Sequence, residues 1–212
     1  MAAEFGSLVP ALVGGAIGFA SAIFAEPLRR WIYSPKLLLS FEDSTDYKAR
    51  TPEQATFLDP QRSAAPIHST HEAEYLRIKV LNDSRPLAKE CRAYLVGIEK
   101  KQADGSFGST LYCDSIPLAW SCREDRAYEA LDLPKGVAQF VDLVSVRSIS
   151  TEYKIEIKPL PLRYAGFLRE KGTFRFTVQV SGENVKPVFI RVQFTWGGVW
   201  NEYVAKPDSS HA

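Results

Sequence analysis

The sequence of 212 residues has few of the side chains on which most catalytic and metal sites depend. It contains three histidines, three cysteines and one methionine, and it has no HExxH, GxSxG or phosphate-binding glycine motif. The cysteines also lack the close spacing of a zinc site, because no CxxC pair occurs. These absences exclude the enzymes and metalloproteins that short motifs identify, so no catalytic residue and no cofactor is expected.

The chain also lacks an excess of charge of either sign. Its 26 basic and 25 acidic residues give a net charge of +1. We therefore expect no nucleic-acid partner, because such partners usually require a basic face. An odd number of cysteines argues against an oxidising compartment, where paired cysteines are the rule. Cys91, Cys113 and Cys122 are expected to be reduced; a Cys113–Cys122 bridge is the alternative for a domain in an oxidising compartment.

Charge is absent altogether from the run Leu8 to Ala25. As an α-helix, this run of about 18 residues would rise roughly 27 Å, close to the hydrocarbon thickness of a bilayer. It also has no polar face, which a helix packed on a soluble domain would normally show. We therefore predict a short N-terminal segment over 1–7, followed by one transmembrane helix and its interfacial flank over 8–33.

The charges around this run predict its orientation. Glu4 is the only charged residue before the run, whereas Arg29 and Arg30 follow it closely. The lack of positive charge before the run argues against a cleaved signal peptide. The positive-inside rule then predicts the N-terminus outside and the main domain on the cytoplasmic side, with membrane lipid as one partner.

Small residues recur every four positions along the predicted helix, at Gly14, Gly18 and Ala22. This spacing stacks them on one face, where two helix backbones can approach closely in lipid. We expect this face to associate with a second copy of the chain or with a partner's helix. The alternative is that glycine is simply common in membrane helices.

After the predicted helix, short stretches of alternating apolar and polar residues are separated by turn residues. The clearest are Thr173 to Ser181 and Pro187 to Trp196, where Phe176 and Ile190 are expected to point inward. About seven or eight such strands predict an all-β fold, an antiparallel β-sandwich of immunoglobulin or fibronectin type over 36–205. A jelly roll or a small barrel is the alternative.

Two segments fall outside this alternation. Residues 43–73 are polar and contain three prolines, so we expect a long loop there, either mobile or functional. Residues 206–212 are expected to form a C-terminal tail.

Three groups of residues are candidates for a site. The only cluster with metal-ligand residue types is His68-Ser-Thr-His71-Glu-Ala-Glu74. Its two histidines could share one metal if the segment were helical, but a tight metal site needs three or four ligands. Asp142 shares its predicted strand face with Phe140, Val144 and Val146, which makes it a candidate buried carboxylate; a place at a sheet edge or opposite a donor from a loop is the alternative. The C-terminal aromatic residues are candidates for a binding surface, with core packing as the alternative: Trp196, Trp200 and Tyr203.

Two classes of function fit these observations. In the first, the protein is a single-pass membrane protein whose sandwich is an interaction module for a protein partner at the membrane surface. In the second, it is a membrane-tethered enzyme with an unrecognised site, and the 43–73 loop acts as a lid. The absence of a catalytic motif favours the first class, although the argument from fold is associational.

Overall fold

The computed structural model describes residues 34–57, 67–123, 126–164, 170–200 and 202–208. One short 3-10 turn, Thr45–Tyr47, lies between the first two strands. The strands in chain order are β1 Leu37–Ser40, β2 Lys48–Phe57, β3 Ile67–Asn82, β4 Ala88–Lys101, β5 Phe107–Ser109, β6 Ile116–Pro117, β7 Ala119–Trp120, β8 Leu131–Leu133, β9 Ala138–Arg147, β10 Tyr153–Ile155, β11 Gly172–Gly182, β12 Val185–Trp196 and β13 Tyr203–Pro207.

These strands form two antiparallel sheets. The six-stranded sheet has the order β1-β3-β9-β10, with β2 also beside β3 and β7 also beside β9. The seven-stranded sheet has the order β13-β12-β11-β4-β5, with β6 and β8 also beside β4. The prediction of an all-β fold with two antiparallel sheets is confirmed, and the arrangement agrees with a β-sandwich.

The core lies between the sheets because one face of each long strand is apolar. On β3 every second residue is fully buried, at Leu76, Ile78 and Val80. On β11 and β12, Phe176 is fully buried and Ile190 is half-buried against the core, so both point inward as predicted. Full burial of each such side chain contributes about 1.5–3 kcal/mol.

The long loop expected over 43–73 is largely replaced by two strands. Ten positions of β2 pair with β3, from Lys48 opposite Leu76 to Phe57 opposite Ile67. The polar composition misled the prediction because β2 pairs with the first part of β3 through backbone hydrogen bonds, which a polar sequence forms as readily as an apolar one. Pro52 is tolerated because β2 is an edge strand, which has one side without a strand partner.

The domain also extends past residue 205 into the predicted tail. β13 continues through Lys206 and Pro207 as the partner of β12. Asp208 then accepts hydrogen bonds from Arg175, at 3.2 Å, and Gln193, at 3.0 Å. The edge of β12 that faces away from β11 provides the backbone partners for these residues. No pattern within residues 206–208 indicates this pairing.

The predicted transmembrane helix lies outside the described residues, which begin at residue 34. The same is true of its candidate association face, Gly14, Gly18 and Ala22. Within the part of the chain that the structure describes, no helix has the length and apolar character needed to cross a bilayer. The anchor and its orientation therefore stay predictions.

Candidate functional site

A β-bulge in β9 decides which side chains gather on the outer face of the six-stranded sheet. Leu76 of β3 pairs with Val144, whereas the next residue, Arg77, pairs with Asp142. Leu143 is therefore an extra residue on β9, and it interrupts the alternation expected there. Asp142 lies on the outer face and Val144 on the core face, so the predicted common face is wrong.

Five polar residues around the bulge form what we call the bulge cluster: Ser121, Asp142, Ser145, Lys154 and Glu156. The hydroxyl of Ser121 donates a hydrogen bond to Asp142. Ser145 Oγ donates to Glu156 Oε1 at 2.6 Å, and Lys154 Nζ donates to Glu156 Oε2 at 2.8 Å. Ser145 and Glu156 are buried, so these hydrogen bonds offset the cost of removing the carboxylate from water.

The backbone brings Glu156 to the bulge. Its N–H donates to the carbonyl oxygen of Leu143 at 3.0 Å, and its own carbonyl accepts from Ala119 at 3.0 Å. The chain following β10 thus joins both β9 and β7 at the point where β9 is irregular. Only the strand pairing brings Glu156 near Asp142, because the two residues lie on separate segments of the chain.

Burial raises the pKa of Asp142 to about 6; the hydrogen bond from Ser121 opposes this rise, and the negative charge of Glu156 adds to it. Burial likewise raises the pKa of Tyr128, with further contributions from Glu156 and Asp142. A carboxyl group that titrates near pH 6 beside a second carboxylate is able to transfer protons. The bulge cluster is therefore the part of the described structure where acid–base chemistry is best supported.

A second polar group lies on the same face, where β2 and β3 continue past the end of β9. Arg147 donates two hydrogen bonds to Glu53, from Nε at 2.7 Å and from Nη2 at 3.4 Å, and the hydroxyl of Tyr75 donates a third. Burial opposes ionisation of Glu53, but these hydrogen bonds outweigh it and hold its pKa below the ordinary value. His71 Nε2 lies 3.4 Å from Glu53 Oε2.

The candidate metal pair His68 and His71 lies on a strand rather than on a helix. Both positions belong to β3, so the helical spacing that would bring two histidines three apart onto one face is absent. The side chain of His68 lies outside the described part of the structure. Across the described residues, no group of three or more histidine, cysteine, aspartate or glutamate side chains is arranged to hold a metal ion.

The candidate binding aromatics lie in or against the core. Trp196 is 1% exposed, and its ring centroid lies 5.9 Å from that of Tyr153. Trp200 and Tyr203 are half-buried against the same core. Arg50 covers Trp200, with its guanidinium carbon 5.8 Å from the ring centroid. Trp196 is therefore a core residue and not part of a binding surface.

Three exposed leucines on two neighbouring loops form what we call the leucine loop surface: Leu111, Leu160 and Leu162. Their exposed fractions are 79%, 36% and 94%. Sequence patterns did not identify them, because Leu160 and Leu162 alternate with prolines in an irregular segment. Neither the strand period nor the helix period indicates which side of such a segment faces water.

Specific contacts fix these two loops to each other and to the core. Arg163 and Tyr164 both donate hydrogen bonds to the Asp114 carboxylate. The ring of Tyr112 lies 4.8 Å from the ring of Tyr164, and Tyr112 Oη donates to the carbonyl oxygen of Leu95 at 2.8 Å. The leucines are therefore displayed from an ordered framework.

All three cysteines are free thiols. Cys113 and Cys122 are exposed and are not bridged, so the alternative disulfide is not formed. Cys91 is buried on β4, and burial raises the pKa of its thiol to about 11. A buried, protonated thiol has little nucleophilic reactivity.

The described residues define a two-sheet all-β domain with a bulge cluster and a separate leucine loop surface. Neither a family model nor a curated protein matches this sequence. The functional proposal therefore rests on the chemistry of these surfaces.

Proposed function

We propose that the protein is a single-pass membrane protein whose sandwich domain is an interaction module on the cytoplasmic side, and that the leucine loop surface contacts a protein partner. The observation that carries this proposal is the exposure of Leu111 and Leu162 on loops held in place by polar contacts. Patches of exposed apolar side chains commonly mark interaction sites, and the contacts of Asp114 with Arg163 and Tyr164 bring the two leucine-bearing loops together. A partner that covers each leucine gains about 1.5–3 kcal/mol.

The fixed loop framework favours recognition over accidental exposure. Ordering a loop at the moment of binding costs free energy, and loops that are already ordered avoid this cost. The junction of Asp114 with Arg163 and Tyr164 provides such order before a partner arrives. Interfaces of this kind concentrate their binding energy in a few anchor side chains.

We further infer that the sandwich is of immunoglobulin or fibronectin type. The order β1-β3-β9-β7 corresponds to strands A-B-E-D of an immunoglobulin constant-type domain, and β12-β11-β4 corresponds to G-F-C. Such domains commonly serve recognition, although this support is an analogy from fold.

The membrane placement rests on the uncharged run Leu8 to Ala25 and on the arginines that follow it. β1 begins at Leu37, so the connection after the run can extend at most about 40 Å. The domain would thus stay close to the membrane surface. The small-residue face of the anchor would allow pairing with a second copy or with the partner's own helix.

Site-specific photo-cross-linking in native membranes tests this proposal. A photoreactive amino acid is placed at Leu162 in the full chain, and Leu38, an exposed leucine on β1, is the matched control position. We expect a discrete protein adduct from position 162, retained in the membrane after a high-salt wash, and none from position 38. In a second variant with the probe at Leu111, Leu162→Ser should reduce the adduct about tenfold or more.

Three results would contradict the proposal. Equal adducts from both probe positions would mean that the leucine loop surface is not a specific contact. An undiminished adduct after Leu162→Ser would mean that this leucine does not contribute to binding. Release of the protein by salt alone would exclude the membrane anchor.

The second candidate, a membrane-tethered enzyme, is favoured by one observation: Asp142 and Glu156 lie together in the bulge cluster, with a pKa of about 6 for Asp142. The lid proposed for 43–73 loses its basis, because most of the described residues there belong to β2 and β3. The enzyme candidate therefore depends on the bulge cluster alone.

A further inference from the structure

The outer face of the seven-stranded sheet carries a line of three side chains across its central strands. Gln179 of β11 pairs directly with Tyr94 of β4 on one side and with Phe189 of β12 on the other. Directly paired residues point to the same face, and Val178 and Val180 beside Gln179 are buried in the core. Tyr94, Gln179 and Phe189, which we call the aromatic row, therefore point away from the core.

Phe189 is unusual in its exposure. It is 59% exposed, and no other phenylalanine or tryptophan whose side chain is described is as exposed. Two strand spacings of about 4.8 Å separate its backbone from that of Tyr94, or about 10 Å. The row thus offers two aromatic rings on a sheet surface, with an amide side chain between them.

Two arginines extend this surface. Arg92 lies two positions before Tyr94 on β4, and Arg191 lies two positions after Phe189 on β12, so both share the outer face. Among the described residues, neither guanidinium group has an ion-pair or hydrogen-bond partner.

Two acidic residues lie beside Arg191: Glu99, and Asp208, whose N–H donates to the carbonyl oxygen of Arg191 at 3.0 Å. Arg175 binds both carboxylates, Glu99 from Nε at 2.7 Å and from Nη2 at 2.8 Å, and Asp208 from Nη1 at 3.2 Å. The pKa of Glu99 is lowered mainly by its hydrogen bonds from Arg175, and the charge of Arg191 lowers it further.

The β11 residues paired with the two arginines carry no charge. Ser181 lies opposite Arg92, and Thr177 lies opposite Arg191. On this face three arginines, Arg92, Arg175 and Arg191, outnumber the two carboxylates Glu99 and Asp208. The face is therefore locally basic although the whole chain is nearly neutral. It fits a ligand that combines negative charge with flat rings.

We propose that the aromatic row binds single-stranded nucleic acid. Bases stack on Phe189 and Tyr94, the Gln179 amide hydrogen-bonds to base edges, and Arg92 and Arg191 contact phosphates. Proteins that bind single strands combine stacking aromatics with basic groups in this way. A flat sheet face suits unpaired bases, because only unstacked bases expose their rings. The surface is separate from the leucine loop surface, so the inference does not depend on the proposed protein partner.

Fluorescence anisotropy with a short fluorescein-labelled oligouridylate or oligothymidylate tests the proposal. The full chain is kept in a non-ionic detergent, and binding is measured over a range of salt concentrations. Phe189→Ala should weaken binding roughly 5- to 150-fold, the range expected for losing one stacked base. Val204→Ala, which removes another exposed apolar side chain of the same sheet, should leave affinity unchanged.

The salt dependence of binding tests the contribution of the arginines separately. Arg191→Ala should weaken binding and make the plot of log affinity against log salt shallower by about 0.7, as expected for one lost phosphate contact with a single strand. Arg85→Ala, an exposed arginine in the turn after β3, should leave the slope unchanged. Because Phe189 and Arg191 lie on the outer face, circular dichroism should report folded variants.

Several results would overturn the proposal. These are no saturable binding at low salt, equal losses from Phe189→Ala and Val204→Ala, and an unchanged salt slope in Arg191→Ala. Displacement of the oligonucleotide by polyglutamate at equal charge concentration would also overturn it, because the row would then recognise acidic chains without regard to bases.

Discussion

Replacing Asp142 with asparagine is expected to stabilise the domain at neutral pH. Asp142 has an ordinary pKa of 3.8 in the unfolded chain and a pKa of about 6 in the folded domain. Between these values the unfolded chain releases the proton first, so the free energy of unfolding of the natural protein falls as pH rises. The rise from 3.8 to about 6 corresponds to about 3 kcal/mol, since each pKa unit is worth about 1.4 kcal/mol.

Asparagine retains an oxygen that can accept the hydrogen bond from Ser121, and it has no charge to bury. The variant should therefore gain stability over the natural protein between about pH 4 and about pH 6, and the gain should stay constant above this range. The neighbouring charges, Glu156, Lys154 and Arg77, are the same in both proteins, so their effect on Asp142 is included in its pKa.

Urea unfolding of the full chain in a non-ionic detergent measures this difference. The buried tryptophans Trp120 and Trp196 report unfolding by fluorescence. The matched control is Asp83→Asn, an exposed carboxylate after β3, which should change stability by no more than about 0.5 kcal/mol. A difference between Asp142→Asn and the natural protein that does not change with pH would refute the buried-carboxylate reasoning. If Asp142→Asn became less stable than the natural protein as pH rises, the positive charges of Lys154 and Arg77 would outweigh the effect of burial on Asp142.

Two further predictions concern the core and the thiols. Phe176→Ala should lower the free energy of unfolding by about 3–5 kcal/mol, and Ile190→Ala by clearly less, because Ile190 is only half-buried; equal losses in urea titrations would contradict this packing. A thiol-specific reagent at neutral pH should modify Cys113 and Cys122 quickly and Cys91 only after unfolding, and three rapid reactions in the native protein would contradict the burial of Cys91.

The stability measurement on Asp142→Asn also distinguishes between the two functional candidates. A residue that lowers stability at neutral pH, yet occupies the natural chain, is typical of sites where stability is traded for activity. A measured gain of about 3 kcal/mol in Asp142→Asn would therefore direct the search for a reaction to the bulge cluster. Failure to find that gain would leave the leucine loop surface as the better supported site.

The parts of the fold that the sequence predicted are those with strict alternation. Phe176 and Ile190 point inward because β11 and β12 are paired along most of their length and each has an apolar face. The prediction failed over 43–73, because edge strands such as β2 need no apolar face, and their pairing depends on a partner elsewhere in the chain. It also failed at Leu143, because one extra residue in β9 exchanges the core face and the outer face for the positions beyond it.

By itself, the sequence determined the fold class, the inward faces of the long strands and the absence of motif-based chemistry. It also carries the uncharged run Leu8 to Ala25, on which the membrane prediction depends. Only the tertiary structure decided which polar side chains meet, because contacts such as Ser145 with Glu156, and Asp114 with Arg163, join separate segments. Local periodicity records which face of a strand is buried, but the identity of its neighbours depends on sheet order, register and bulges, which are properties of the whole chain.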